Sequence, residues 1–231
     1  MSHSARYLRS LRSASSLPSG SALSPSRTIP GANDRAFVEH LNGVFPELQF
    51  PPELARRILT HGSHPTAING HNAGMSFLGR RVLESYLLLF LQSSKALQPN
   101  DNIDAIITRT IGSYTLGDHI GRRWGLGRGM RWTPAAPARR LAEDREASMV
   151  SVGLYKVQGD AVAAVMGGIF HQFGATVAHR VFHTRVLPYL ENLPEQFIAD
   201  AQSICERMGG TEGKLLLDNA TPTAEPVAAT N

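Results

Sequence analysis

A chain of 231 residues with 42% hydrophobic and 18% charged residues has the size of one ordinary domain and enough apolar material to bury a core, which excludes disorder throughout. One cysteine, Cys205, excludes an intrachain disulfide framework and a cysteine-based zinc finger. Uninterrupted apolar runs reach six residues, as in Tyr86 to Leu91, against the roughly 20 of a membrane-spanning helix, so no membrane span is expected.

The 23 basic residues divide into 20 Arg and 3 Lys, within a net charge of +4. Arg is the planar, bidentate, always charged group suited to phosphate, although base composition alone produces the same bias.

Residues 1–33 hold Arg6, Arg9, Arg12 and Arg27, ten Ser and no acid; the first acid is Asp34. Arg6, Arg9 and Arg12 recur every third residue around Tyr7, Leu8 and Leu11, the composition of a mitochondrial presequence. A disordered Ser-rich tail and a chloroplast transit signal share that composition. Residues 34–208 are expected to form the one folded unit. Residues 209–231 open with Gly-Gly, continue Pro- and Ala-rich, and are expected to be a disordered tail.

The folded part reads as all-α. Pro51 and Pro52 open a helix to about Leu59. Phe77, Leu78, Val82, Tyr86, Leu89 and Phe90 keep helical spacing over 76–92, with Phe77, Leu78 and Val82 expected to fill the core. Asn102 caps a helix running to Arg123, with Ile103, Ile106, Ile107 and Ile111 on one side. Residues 160–174 place Val162, Val165, Met166, Ile169 and Phe170 on one face, and helices over 176–187 and 194–208 complete the set.

Between His119 and Ala142 stand six arginines (Arg122, Arg123, Arg128, Arg131, Arg139, Arg140) and no acid, interleaved with Trp124, Trp132, Gly and Pro. Guanidinium groups for phosphates and exposed indoles for stacking on unpaired bases suit RNA. A solvated loop whose tryptophans anchor it to the domain is the alternative. His61, His64 and His71, and His171, His179 and His183, form two groups that a zinc ion could use; neither has a Cys partner or an adjacent Glu, so no metal and no cofactor are expected. Cys205 reads as a small packed residue.

Two stretches carry a family resemblance. Leu59-Thr-His-Gly-Ser-His64 followed by Asn72-Ala-Gly-Met-Ser-Phe-Leu-Gly-Arg-Arg-Val-Leu83 resembles the turn and signature helix of the ribonuclease III endonuclease domain. Gly159-Asp160-Ala-Val-Ala163 through Gly167-Gly168-Ile-Phe170 is similar to its second motif, at the proper distance downstream. The match covers about 50–190.

The resemblance implies a helical domain in which carboxylates at i, i+4 of one helix and i, i+3 of another hold two magnesium ions about 4 Å apart for phosphodiester cleavage. At those positions stand Ser76 and Arg80, then Asp160 and Ala163; an accessory acid falls on Ala73. Only Asp160 keeps a carboxylate, so the expectation is a vestigial site and a chain that is not an enzyme. Arg80 is expected either to pair with Asp160 across the helices or to bond Glu84 along its own. His61 and Ser63 are expected to close the turn before the signature helix.

The resemblance further implies a structural part of the mitochondrial large ribosomal subunit, in the mitochondrial matrix, with mitochondrial rRNA and neighbouring ribosomal proteins as partners. It also implies a homo- or heterodimer with another ribonuclease III-like subunit through the old dimer face. The alternatives are a non-ribosomal silent partner of a ribonuclease III, and an active double-stranded RNA endonuclease.

Overall fold

The computed structural model describes residues 32–134 and 153–216. The presequence reading of 1–33 therefore falls almost wholly outside the described residues, as do Arg139, Arg140 and the chain after 216. Among the described residues every extended element is helical, and the lone β-bridge joins Thr60 to Arg131. The all-α expectation holds.

Helix α1, Ala32–Val44, has no counterpart in the sequence reading. Phe37, Leu41, Phe45 and Leu48 recur at near-helical spacing and are all buried. A helix therefore fills the ground where only a domain boundary was expected. Helix α2, Pro52–Ile58, opens as read: Pro51 is extended, Pro52 needs no amide partner at the first position, and Leu54, Ala55 and Ile58 point inward.

After a short 3-10 turn, Pro65–Asn69, the long helix α3 spans Ala73–Ser93. Its buried stripe is Ser76, Gly79, Val82, Leu83, Leu87, Phe90 and Leu91. Phe77 (67% exposed) faces outward, against the expectation that it fills the core, and so does Leu89 (62%). Apolar residues surround much of this helix, so spacing alone leaves its inward face open; the close approach of another helix to Gly79 chooses it.

Helix α4, Ile103–Thr110, is capped by Asn102, whose Oδ1 accepts from the Ala105 amide at 3.0 Å. The expected single helix to Arg123 breaks at Gly112, extended at ψ 151, and restarts as α5, Ser113–Thr115, which widens into a π-helical stretch at Leu116–Gly121. A short α6, Leu126–Gly129, follows.

The central element is α7, Leu154–Val181, which runs as two helical halves joined at a kink at Gly174, the place where the sequence reading ends one helix and begins the next. Gly174 kinks it at φ 86, a left-handed value that costs glycine little. Its first half is buried on nearly all sides, packed against α2, α3 and the α5 segment. Leu154–Tyr189 is long and apolar enough to cross a membrane by length and composition, a property that uninterrupted runs did not reveal. Here that helix is mostly buried as the axis of the core.

The chain then passes through a π-helical segment Phe182–Val186 and 3-10 turns Leu187–Tyr189 and Glu195–Phe197 into α8, Ile198–Arg207. Residues 209–216, read as the start of the tail, lie on the fold. Leu215 is 2% exposed, and the Glu47 carboxylate accepts from the Leu215 and Leu216 amides at 3.0 and 3.2 Å.

Candidate functional site

The cleft between α3 and α7 exists because their backbones nearly touch. A Cβ on Gly79 would stand 1.7 Å from the Ala163 carbonyl oxygen, and one on Gly167 would stand 2.1 Å from that of Met75. The small residues of both motifs are therefore the contact itself. One turn past the Ser76 position, that approach sets Arg80 opposite Asp160.

Arg80 Nη2 donates to the Asp160 carboxylate and, at 2.9 Å, to Ser113 Oγ of α5. Glu84 pairs instead with Arg81, at 2.7 Å. The second Asp160 oxygen lies 3.8 Å from His61 Nε2. His61 Nδ1 accepts from the Ser63 amide at 3.1 Å and lies 2.9 Å from Ser63 Oγ, which in turn accepts from the Thr133 amide at 3.0 Å.

Two backbone hydrogen bonds clamp the same turn to the downstream segment: the His61 amide to the Arg131 carbonyl at 2.8 Å, and the Arg131 amide to the Leu59 carbonyl at 2.7 Å. Ser113 is a site residue that the motif reading left aside, and His61, read only as closing the turn with Ser63, also faces Asp160. Neither lies at a position of the expected carboxylate quartet, and only the fold brings them to Asp160.

Chemically, the cleft holds one carboxylate already engaged by a guanidinium. Ser76 is buried and Ala163 has no ligand atom. These residues do not fit a pair of divalent cations, which repel Arg80 and need several oxygen donors. Among the described residues no group of three or more His, Cys, Asp and Glu side chains converges. Glu143, Asp144 and Glu146 lie outside the described residues.

The arginine-rich stretch divides. Arg122, Arg123 and Arg128 are exposed. Arg122 pairs with Asp118 at 2.9 Å, and Arg123 lies over the Tyr189 ring with its guanidinium carbon 3.7 Å from the centroid. Arg131 is half-buried over Phe37, at 4.6 Å.

The expectation of exposed indoles is corrected. Trp124 is 5% exposed and meets Phe45 edge-on at 5.1 Å, while Trp132 is half-buried against the core. A large apolar ring next to flanking charges gains more from burial than from solvent exposure, so the tryptophans anchor the segment.

The two histidine groups also separate. His64 caps the 3-10 turn, its Nδ1 accepting from the Thr66 amide at 3.2 Å. His171 is exposed, whereas His183 is buried among Phe90, Phe182 and His179, with the two imidazole centroids 4.4 Å apart. Burial, and then the neighbouring His179, push the His183 pKa down to about 4. Cys205 is packed and its thiol is pushed up, first by burial.

A family model described as ribonuclease-III-like matches residues 51–190. The chain is also similar to the nuclease domain of a ribonuclease III from Campylobacter jejuni, in a structure concerned with flexibility in the region involved in dimer formation. The TM-score is 0.53 at 18% identity, covering 66% of this chain and 97% of that one. A second structure of the Campylobacter jejuni nuclease domain, at 2.2 Å resolution, gives a TM-score of 0.48 at 19% identity, covering 62% and 89%. No curated protein matches the chain.

The family match corrects the expectation that the chain is not an enzyme. It places the chain with ribonuclease III, an endonuclease family, and the substitutions at 76, 80 and 163 do not remove it from there. The physical reason is that a metal site is made by whatever donors converge in space. A count of acids at four motif positions leaves out every other segment and any second subunit.

Proposed function

The chain belongs to the ribonuclease-III-like family, and we propose that it works as an RNA-binding component of the mitochondrial large ribosomal subunit, docked on rRNA and neighbouring proteins. The observation that carries the reading is the division of labour around Trp124. The indole is sunk in the core beside Phe45, while Arg122, Arg123 and Arg128 on either side stay on the surface. A buried anchor fixes three guanidinium groups in a stretch that has no acid from His119 to Ala142, the footprint expected of RNA contact. The acid-free, Arg- and Ser-rich first 33 residues support import into mitochondria.

A second subunit of the same fold, either another copy or a paralogue, fits the outward side of α3, where Phe77, Leu88 and Leu89 are exposed with Arg81 over the Phe77 ring. The Campylobacter jejuni domain, whose structure concerns dimer formation, supports this reading by analogy of fold.

Sedimentation of mitochondrial lysate carrying the tagged full chain tests the proposal: the protein stays with the large ribosomal subunit in high salt. Recovery in light fractions refutes it. In RNA binding, losing a phosphate contact, as in Arg128→Ala, lowers the slope of log affinity against log salt by about 0.7 to 0.9.

A second reading, cleavage of double-stranded RNA, is favoured by the family match itself. Magnesium-dependent shortening of a duplex by the purified chain, absent in Asp160→Asn, supports that reading; an intact duplex counts against it.

A further inference from the structure

Away from the cleft, Asp118, His119, Arg122, Arg123 and Glu191 line an open pocket of about 510 Å³, within the range of small-ligand sites. The wall is built by two segments far apart in sequence: the π-helical end of α5 with the residues after it, and the turn that follows Tyr189. The Glu191 amide donates to His119 Nδ1 at 3.3 Å, which leaves the imidazole proton on Nε2, 3.7 Å from the Glu191 carboxylate. The two segments are thus pinned together at the pocket.

We infer that this pocket takes one unpaired RNA base, stacked on the Arg123 guanidinium and read by the Glu191 carboxylate; the inference rests on the RNA-binding reading and deepens it. The Arg123 guanidinium carbon lies 3.7 Å from the Tyr189 ring centroid, and the residue is exposed. Guanidinium planes and aromatic rings are the surfaces on which splayed-out RNA bases stack.

The charges decide between a base and a phosphate. The lining carries two guanidinium groups and two carboxylates, with Asp118 engaged by Arg122 at 2.9 Å. A phosphate entering here meets as many negative as positive groups, whereas an uncharged base meets a stacking plane and an acceptor. The Glu191 side chain is 81% exposed, and as a carboxylate it only accepts. It therefore favours bases with an exocyclic amino group, cytosine above all, over uracil.

The test uses the folded full chain and RNA hairpins with a 2-aminopurine in the loop, compared with a blunt duplex of the same stem. Wild type is expected to quench the 2-aminopurine and to prefer cytosine-rich over uracil-rich loops. Arg123→Lys, which keeps the charge and loses the plane, lowers the ratio of hairpin to duplex affinity about tenfold, as does Tyr189→Leu. Glu191→Gln narrows the preference for cytosine over uracil. Melting midpoints establish that the variants are folded.

Equal hairpin-to-duplex ratios in folded Arg123→Lys and wild type overturn the base pocket while RNA binding stands. Failure of wild type to bind any of the RNAs overturns both.

Discussion

Gly79 and Ala163 bring two helices into backbone contact: the position a Cβ would occupy on Gly79 is 1.7 Å from the Ala163 carbonyl oxygen. A gap of that size admits no side chain on α3, and backbone atoms cannot swing aside as a rotamer does. The same holds in the opposite direction at Gly167, whose Cβ would lie 2.1 Å from the Met75 carbonyl oxygen. The two motifs that identify the family are thus also the places where α3 and α7 have no slack.

Gly167→Leu is therefore expected to destabilise the domain by about 3 kcal/mol or more through overpacking. For a domain of this size that lowers the thermal midpoint by roughly 10 °C. Gly74→Ala supplies the contrast, since nothing lies within 4 Å of a Cβ there. An unchanged midpoint for Gly167→Leu counts against the backbone contact.

Arg80 and Asp160 are expected to be coupled. Each is partly screened, with side-chain exposures of 32% and 21%, so the pair is worth less than a fully buried one. Arg80→Ala and Asp160→Asn are each expected to cost about 1–2 kcal/mol in urea unfolding, with a coupling energy of about 1 kcal/mol in the double-mutant cycle. Additive single-variant effects would show that the two charges do not act as a pair. Ser113→Ala belongs in the same cycle because Arg80 Nη2 also donates to its hydroxyl.

The existence of α3 and α7 was legible in apolar spacing; their faces were not. Phe77 and Leu89 satisfy the helical period as well as Leu83 and Leu87 do, and only the partner helix at Gly79 separates the sets. The α4 boundary failed for a related reason, since Ile111 continues the pattern across a break that Gly112 makes in the backbone.

The Arg-rich stretch was visible as composition, but the burial of Trp124 depends on Phe45, 79 residues earlier, just past the end of a helix that the reading left out. At the other end, the Gly-Gly pair taken to begin a tail caps α8. Gly209 and Gly210 take φ 97 and 75 and donate to the Glu206 and Cys205 carbonyls, a helix end that turns the chain back onto the fold.

Stability is expected to fall as the solution is acidified from pH 6.5, through His183. Its neutral ring sits among Phe90, Phe182 and His179, beyond which lies Arg180; the folded-state pKa is about 4 against 6.5 for the free group. Between these values the unfolded chain binds the proton and the folded chain does not, so stability rises with pH across this window. His183→Leu is expected to remove about 1.5 kcal/mol of the loss between pH 6.5 and 5, measured as the difference in urea-unfolding free energy at the two values. Parallel curves for variant and wild type would assign the acid sensitivity to other groups, among them His40 and His179, whose pKa values burial also lowers.

The last described segment is held as firmly as a core element, and removing its anchors should show this. Arg180 donates from Nη2 to the Met208 carbonyl at 2.7 Å and from Nε to that of Lys214 at 2.9 Å, while Arg185 reaches the Gly213 carbonyl at 3.3 Å. Glu47, just past α1, accepts both amides that follow, and Leu215 closes the contact by entering the core. The strap therefore joins the first and last parts of the fold. Leu215→Ala is expected to cost about 2–3 kcal/mol through the cavity it leaves. Glu47→Ala should cost about 1–2 kcal/mol, because it strips the partner from two amides at once. Hydrogen exchange provides the local readout: in wild type the Leu215 and Leu216 amides are protected, and in Glu47→Ala their protection falls while that of α7 is kept. Fast exchange at both amides in wild type would show that the segment does not stay docked.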